Sequence, residues 1–203
     1  MAPEERFVCR FAAEPPQGPL PYGRWAETLQ GLFLEACLRI DSGEEELGEA
    51  RDITWFPDRS WSGRTYVPVT ATTEGYEYYG YISFTPGDDE NEPDNFYAWA
   101  DYTDETADKH PEWKLDVAEE VVGGWRGEGG RVAAMTLVWG VPLVRGGAMA
   151  TAELAGLTVD QCALLENRFT LLAPDDYRED YLEIALYDSR GEEMARESLY
   201  EEE

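Results

Sequence analysis

Only one stretch of this 203-residue chain carries a long helical stripe, and nearly everything after it alternates with the two-residue period of strands. Trp25, Leu29, Leu32, Phe33, Ala36, Cys37 and Ile40 recur at i, i+4, i+7 and i+8. This spacing predicts a helix over Tyr22–Ile40, stopped by Asp41-Ser42-Gly43 and widened on its apolar face by Leu34 and Leu38. Strand character then follows in short runs. Asp52–Phe56 ends at Pro57, and Thr65–Thr73 with Tyr76–Phe84 reads as a hairpin around Glu74-Gly75. Asn95–Thr103, Arg131–Val144, Ala148–Leu157, Arg168–Ala173, Tyr181–Tyr187 and Glu193–Tyr200 continue the pattern. A further run, Arg6–Ala13, precedes the prolines at 15, 16, 19 and 21.

Two segments are harder to read. Trp113, Val117 and Val121 fall on one helical face, with Pro111 suited to a first turn and Gly123-Gly124 to an end, which favours a helix within Asp104–Gly124. Trp113, Leu115 and Val117 also alternate as in a strand. Thr158-Val-Asp-Gln161 has the form of a capping box and predicts a short helix over Val159–Glu166. Regular βαβ alternation is missing, so the expected class is α+β. The expectation is a curved, mainly antiparallel sheet packed against one long N-terminal helix, with one or two shorter helices. Residues 1–203 are expected to form a single domain, with 1–5 and 201–203 frayed.

Charge limits the partners. The chain has 43 Asp and Glu against 16 Lys and Arg, a net charge of −27, and only two lysines, Lys109 and Lys114. Such a field disfavours nucleic acid and anionic membrane, and it favours basic proteins and cations. A solvated acidic surface, as in proteins adapted to concentrated salt, is the plainer explanation. Acidic chains that stay disordered are poor in aromatics; here aromatics make up 13% of the residues, which argues for a folded core. The N-terminus lacks the pattern of a secretory signal, and the uncharged run Val132–Val144 is too short to span a bilayer, so a cytoplasmic location is expected. Cys9, Cys37 and Cys162 are read as free thiols.

No catalytic residue, metal ligand or cofactor can be named. There is one histidine, His110, and no nucleophile elbow or P-loop. Asp88–Asp94 departs from the calcium-loop pattern, with Pro93 where glycine is required. Gly123–Gly130 is read as a turn. With 43 carboxylates, a pair at glycosidase spacing carries no specificity. The reading therefore leans away from an enzyme.

The aromatic residues are more informative. Tyr76, Tyr78, Ile82 and Phe84 share one strand face, and Tyr79 and Tyr81 the other; Tyr97 and Trp99 share a face of the next strand. Trp55 and Trp61 flank Arg59 in a loop of the kind that rims sites. The candidate binding residues are thus Trp55, Arg59, Trp61, Tyr79, Tyr81, Tyr97 and Trp99. Two functions compete. One is a non-enzymatic interaction module of the inhibitor, immunity or adaptor type that docks on a basic protein. The other is an aromatic pocket between sheet and helix for a small neutral or cationic ligand such as a sugar. An exposed aromatic face would also suit a homodimer.

Overall fold

The computed structural model describes residues 17–87, 93–126, 132–175 and 182–199. The helix α1 spans Gly23–Cys37 and is followed by β1 (Arg51–Trp55), β2 (Arg59–Trp61), β3 (Arg64–Thr72), β4 (Glu77–Pro86), β5 (Pro93–Thr103) and β6 (Leu115–Arg126). Then come β7 (Val132–Pro142), β8 (Gly147–Leu154), β9 (Leu157–Ala163), β10 (Phe169–Asp175), β11 (Leu182–Asp188) and β12 (Glu193–Ser198). The class is α+β. The expected strand Arg6–Ala13, the chain ends, and the Gly127–Gly130 part of the glycine-rich turn lie outside the described residues.

The strands form three antiparallel sheets rather than one curved sheet. The first runs β1-β3-β4-β5, with β2 also paired to β3; the middle one runs β10-β7-β6; the third runs β12-β11-β8-β9. Helix α1 buries Leu29, Phe33, Ala36 and Cys37 on one face of the first sheet, against Val67, Val69, Tyr78 and Ile82. The other face of that sheet, through Tyr66 and Tyr81, packs on Met135, Leu137, Trp139 and Leu172 of the middle sheet. The far side of the middle sheet, through Val138, Phe169, Leu171 and Ala173, packs on Ala152, Ile184 and Leu186 of the third. A strand buried on both faces needs apolar residues at every position rather than at alternate ones. This explains the uncharged run at 132–144, most of which is β7. Among the described residues no helix is long and apolar enough to cross a membrane.

Three expectations are corrected. The helix is shorter than Tyr22–Ile40: Leu38 is exposed, and residues 38–40 turn out of the helical path. Between 104 and 124 there is a strand, β6, paired with β7 along its whole length. The helical spacing of Trp113, Val117 and Val121 is overridden by this tertiary pairing, and Gly123 follows a register shift in the ladder instead of ending a helix. Thr158–Gln161 lies in β9, paired with β8, so its capping-box pattern caps nothing. The one or two shorter helices are not found; α1 is the helix seen among the described residues.

One ion pair ties the three sheets together. Arg59, on β2 of the first sheet, is 1% exposed and donates through Nη2 to Asp160 Oδ2, on β9 of the third, at 2.5 Å. The same oxygen accepts from the Leu172 N–H of β10 in the middle sheet at 2.8 Å. On that outer side of β10, Thr170 N–H donates to Gln17 Oε1 at 3.4 Å, and position 174 is a proline with no N–H to offer. Side chains and a proline thus close an edge that would otherwise invite another strand.

Close strand packing also makes a testable demand on Gly80. A Cβ there would lie 2.2 Å from the Trp99 carbonyl oxygen and 2.9 Å from Ala100 Cα. Gly80→Ala should cost about 1–3 kcal/mol, the usual range for overpacking. Gly124→Ala, where a Cβ meets nothing within 4 Å, should stay within about 0.5 kcal/mol of wild type in the same urea titration.

Candidate functional site

Four of the sequence candidates come together. Antiparallel pairing of β4 with β5 sets Tyr81 opposite Trp99, Tyr79 opposite Asp101 and Ser83 opposite Tyr97. Strand alternation then puts the aromatic rings on one face. Tyr81 stacks on Trp99 at 5.9 Å, with Tyr97 at 6.2 Å from Tyr81 and Tyr79 at 5.8 Å from Trp99. Tyr79 also approaches Trp139 of the middle sheet at 6.5 Å. Helix α1 covers the opposite face, through Tyr78 and Ile82. A pocket enclosed between this row and the helix is therefore not what the fold builds; the row faces the middle sheet.

One end of the row reaches solvent. Tyr97 is 51% exposed and its neighbour Phe96 38%. Both lie on β5, the terminal strand of the first sheet. Phe96 is steadied by Phe84 at 5.7 Å and Trp25 at 6.0 Å. The Arg64 guanidinium donates to the Asn95 carbonyl at 3.0 Å and fixes the start of the strand. Asp94 and Asn95 are exposed beside these rings.

The other three candidates are placed elsewhere. Trp55 packs on the helix side of the first sheet, and its carbonyl accepts from Arg168 Nη1 at 2.9 Å. Trp61 packs beside the middle-sheet cluster and over Gly123. Arg59 is buried in its ion pair with Asp160 and presents no guanidinium to a site rim.

The opposite end of the row borders a cleft that sequence reading did not find. Its outer lobe, about 250 Å³, is walled by Glu77, Tyr79, Thr103, Trp113, Asp116 and Glu119. An inner lobe of about 130 Å³ shares Glu77, Asp116 and Ala118 and reaches Thr70 and Trp139. Burial pushes the Glu77 carboxyl up to about 7, helped by the nearby Asp116 charge. Burial also pushes Glu119 up to about 7, helped by Asp175 and Glu120. Asp116 rises from burial alone. Perturbed carboxyls in a cleft mark candidate sites. The only sequence signal was the alternation of 113–117, and the competing helical reading hid which carboxylates would meet β4.

His110 sits at a surface turn at the rim. Its Nδ1 meets Glu112 at 3.1 Å, its Nε2 meets Glu105, and its ring stacks on Trp113 at 4.4 Å. The hydrogen bonds to Glu112 and Glu105 raise its pKa above the ordinary imidazole value. Cys37 and Cys162 are pushed up to about 12 by burial, which makes both thiols poor nucleophiles. Cys9 lies outside the described residues. No group of three His, Cys, Asp or Glu side chains among the described residues is placed to hold a metal ion. No family model matches this chain, and no curated protein or solved structure is significantly similar to it.

Proposed function

We propose that this protein is a non-enzymatic interaction module that docks a basic partner on the β5 edge of its first sheet. The observation that carries the reading is the pair of exposed rings, Tyr97 on one face and Phe96 on the other, at the open edge of a terminal strand of an otherwise acidic molecule. A rigid aromatic ring held by its neighbours is the usual anchor of a protein interface. Carboxylates supply the attraction: Asp94 and Asp101 lie on β5 itself. A charge of −27 also opposes self-association through the same surface, so a basic partner suits it better than a second copy.

The reading predicts salt-sensitive binding that depends on Tyr97. Captured from the source organism's lysate, a basic protein should bind at low salt and be released at high salt. Purified, it should lose about 2 kcal/mol of affinity, roughly thirtyfold, to bait carrying Tyr97→Ala. Failure to capture any basic protein at low salt, or capture indifferent to Tyr97, would overturn the reading.

A further inference from the structure

We propose that the free edge of β5 takes up an extended basic segment of the partner as a further strand of the first sheet, with Lys or Arg side chains on its Tyr97–Asp101 face and apolar side chains on its Phe96 face. This rests on the docking of a basic partner at β5, and it adds which backbone groups and which side chains receive that partner. Strand addition draws affinity from main-chain hydrogen bonds and specificity from the contacts of alternate side chains.

The register fixes which backbone groups are free. Pro68 has no N–H, and its carbonyl accepts from the Phe56 N–H at 3.0 Å, on the side away from β4. Tyr81, opposite Pro68, therefore turns its own N–H and C=O to β5, where it meets Trp99. Alternation sends the N–H and C=O of Ala98, Ala100 and Tyr102 outward. The Tyr102 N–H donates to Asp101 Oδ1 at 2.9 Å, as a group beyond the ladder does. Among the described strands β5 pairs with β4 alone, and none of its residues is buried; β4, flanked on both sides, is buried through Gly80–Ser83. The edge of β10 is closed by side chains and a proline, whereas Ala98 and Ala100 leave that of β5 open.

The side chains select the occupant. Tyr97, Trp99 and Asp101 share one face of the strand, and Glu120 of β6 lies on that side: burial raises its carboxyl, and the Asp101 charge adds to the shift. Neither Asp101 nor Glu120 makes an ion pair among the described residues. Lys or Arg at alternate positions of an incoming strand sets its charge against these carboxylates and over the Tyr97 ring. On the opposite face Phe96, steadied by Trp25 and Phe84, gives the intervening residues an apolar neighbour. A second copy would bring its own Asp101 and a further charge of −27 to the same edge, which opposes pairing of like edges.

An octapeptide of alternating lysine and valine is the probe, and its glutamate–valine counterpart is the control. The readout is residue-resolved amide hydrogen exchange of the full chain at low salt. In the protein alone the Ala98 and Ala100 amides should exchange fast, and those of Tyr97 and Trp99 slowly. Saturating lysine–valine peptide should slow Ala98 and Ala100 by at least roughly tenfold, and the glutamate peptide should leave them unchanged. Ala98→Pro removes an outward N–H and no bond to β4, so Tyr97 and Trp99 should stay protected while the peptide binds at least roughly tenfold more weakly. Binding that leaves Ala98 and Ala100 exchanging as before, no binding, protection already present in the protein alone, or binding indifferent to Ala98→Pro would each overturn strand addition. A basic protein captured through Tyr97 yet indifferent to Ala98→Pro would remove strand addition and leave the docking standing; failure to capture any basic protein would remove the docking, whatever the peptide does.

Discussion

Replacing Asp160 with alanine should lower the unfolding free energy by about 3–5 kcal/mol, the cost of stranding one member of a buried ion pair. The substitution leaves the Arg59 guanidinium, 1% exposed, without its carboxylate and with an Nε that has no hydrogen-bond partner among the described residues. It also frees the Leu172 N–H on the outer side of β10. Arg59→Met with Asp160→Leu should recover most of the loss, because well-packed apolar side chains can replace a buried pair at little cost. The double variant still leaves the Leu172 donor unpaired, so full recovery is not expected. Urea titration gives both values, with the m-value as the check that the native state is intact. A loss under about 1 kcal/mol for Asp160→Ala would mean that the pair is solvated and does not join the sheets.

The second large effect is a fall in stability as pH rises from 5 to 8. Glu77 and Glu119 sit at about 7 in the fold against an ordinary 4.5, because burial disfavours their charge. Between those values the native state holds more protons than the unfolded chain, so stability falls with rising pH. Below 4.5 both states are protonated and the penalty is absent; above 7 it is fully present. A carboxyl raised from 4.5 to about 7 corresponds to about 3 kcal/mol per group. Asp116 and Glu120, also raised mainly by burial, act in the same direction. Glu153, Asp188 and Glu193 act oppositely: Arg196 and Arg190 beside them help hold them low, and their support disappears as pH falls through their depressed values. Stability should therefore peak near pH 5. Urea midpoints at pH 5 and 8 for wild type and the Glu77→Gln, Glu119→Gln double variant test this. The wild type should be weaker at pH 8, and the double variant should close much of the gap. A wild type at least as stable at pH 8 as at pH 5 would refute it.

Burial by near neighbours was legible in the sequence; burial by distant ones was not. The spacing of Leu29, Phe33 and Ala36 marks a helix because one face of one segment meets one sheet. The β3–β4 hairpin was readable because its turn and its alternating arms are contiguous. The 132–144 run was visible as uncharged, but its place between two other sheets depends on strands from both sides. Trp113, Val117 and Val121 fit a helical face by spacing, and only pairing with β7 decides against it. Arg59 between two tryptophans looked like a site rim because its partner, Asp160, lies 101 residues away. The cleft was hidden for the same reason: Glu77 and Asp116 belong to different sheets, and nothing local sets them apart among 43 carboxylates.

The layer order also sets a timetable for synthesis. Helix α1 and the five strands of the first sheet are complete in the chain by Thr103, but the strands that cover the Tyr66–Tyr81 face begin at Leu115, and β7 ends at Pro142. Its last covering strand, β10, follows only after β8 and β9 have gone to the third sheet. At about 5–20 residues per second, a ribosome leaves that aromatic face open for several seconds. The nascent chain at that stage is a half-built sandwich with a greasy flank, a natural client for a chaperone near the tunnel exit.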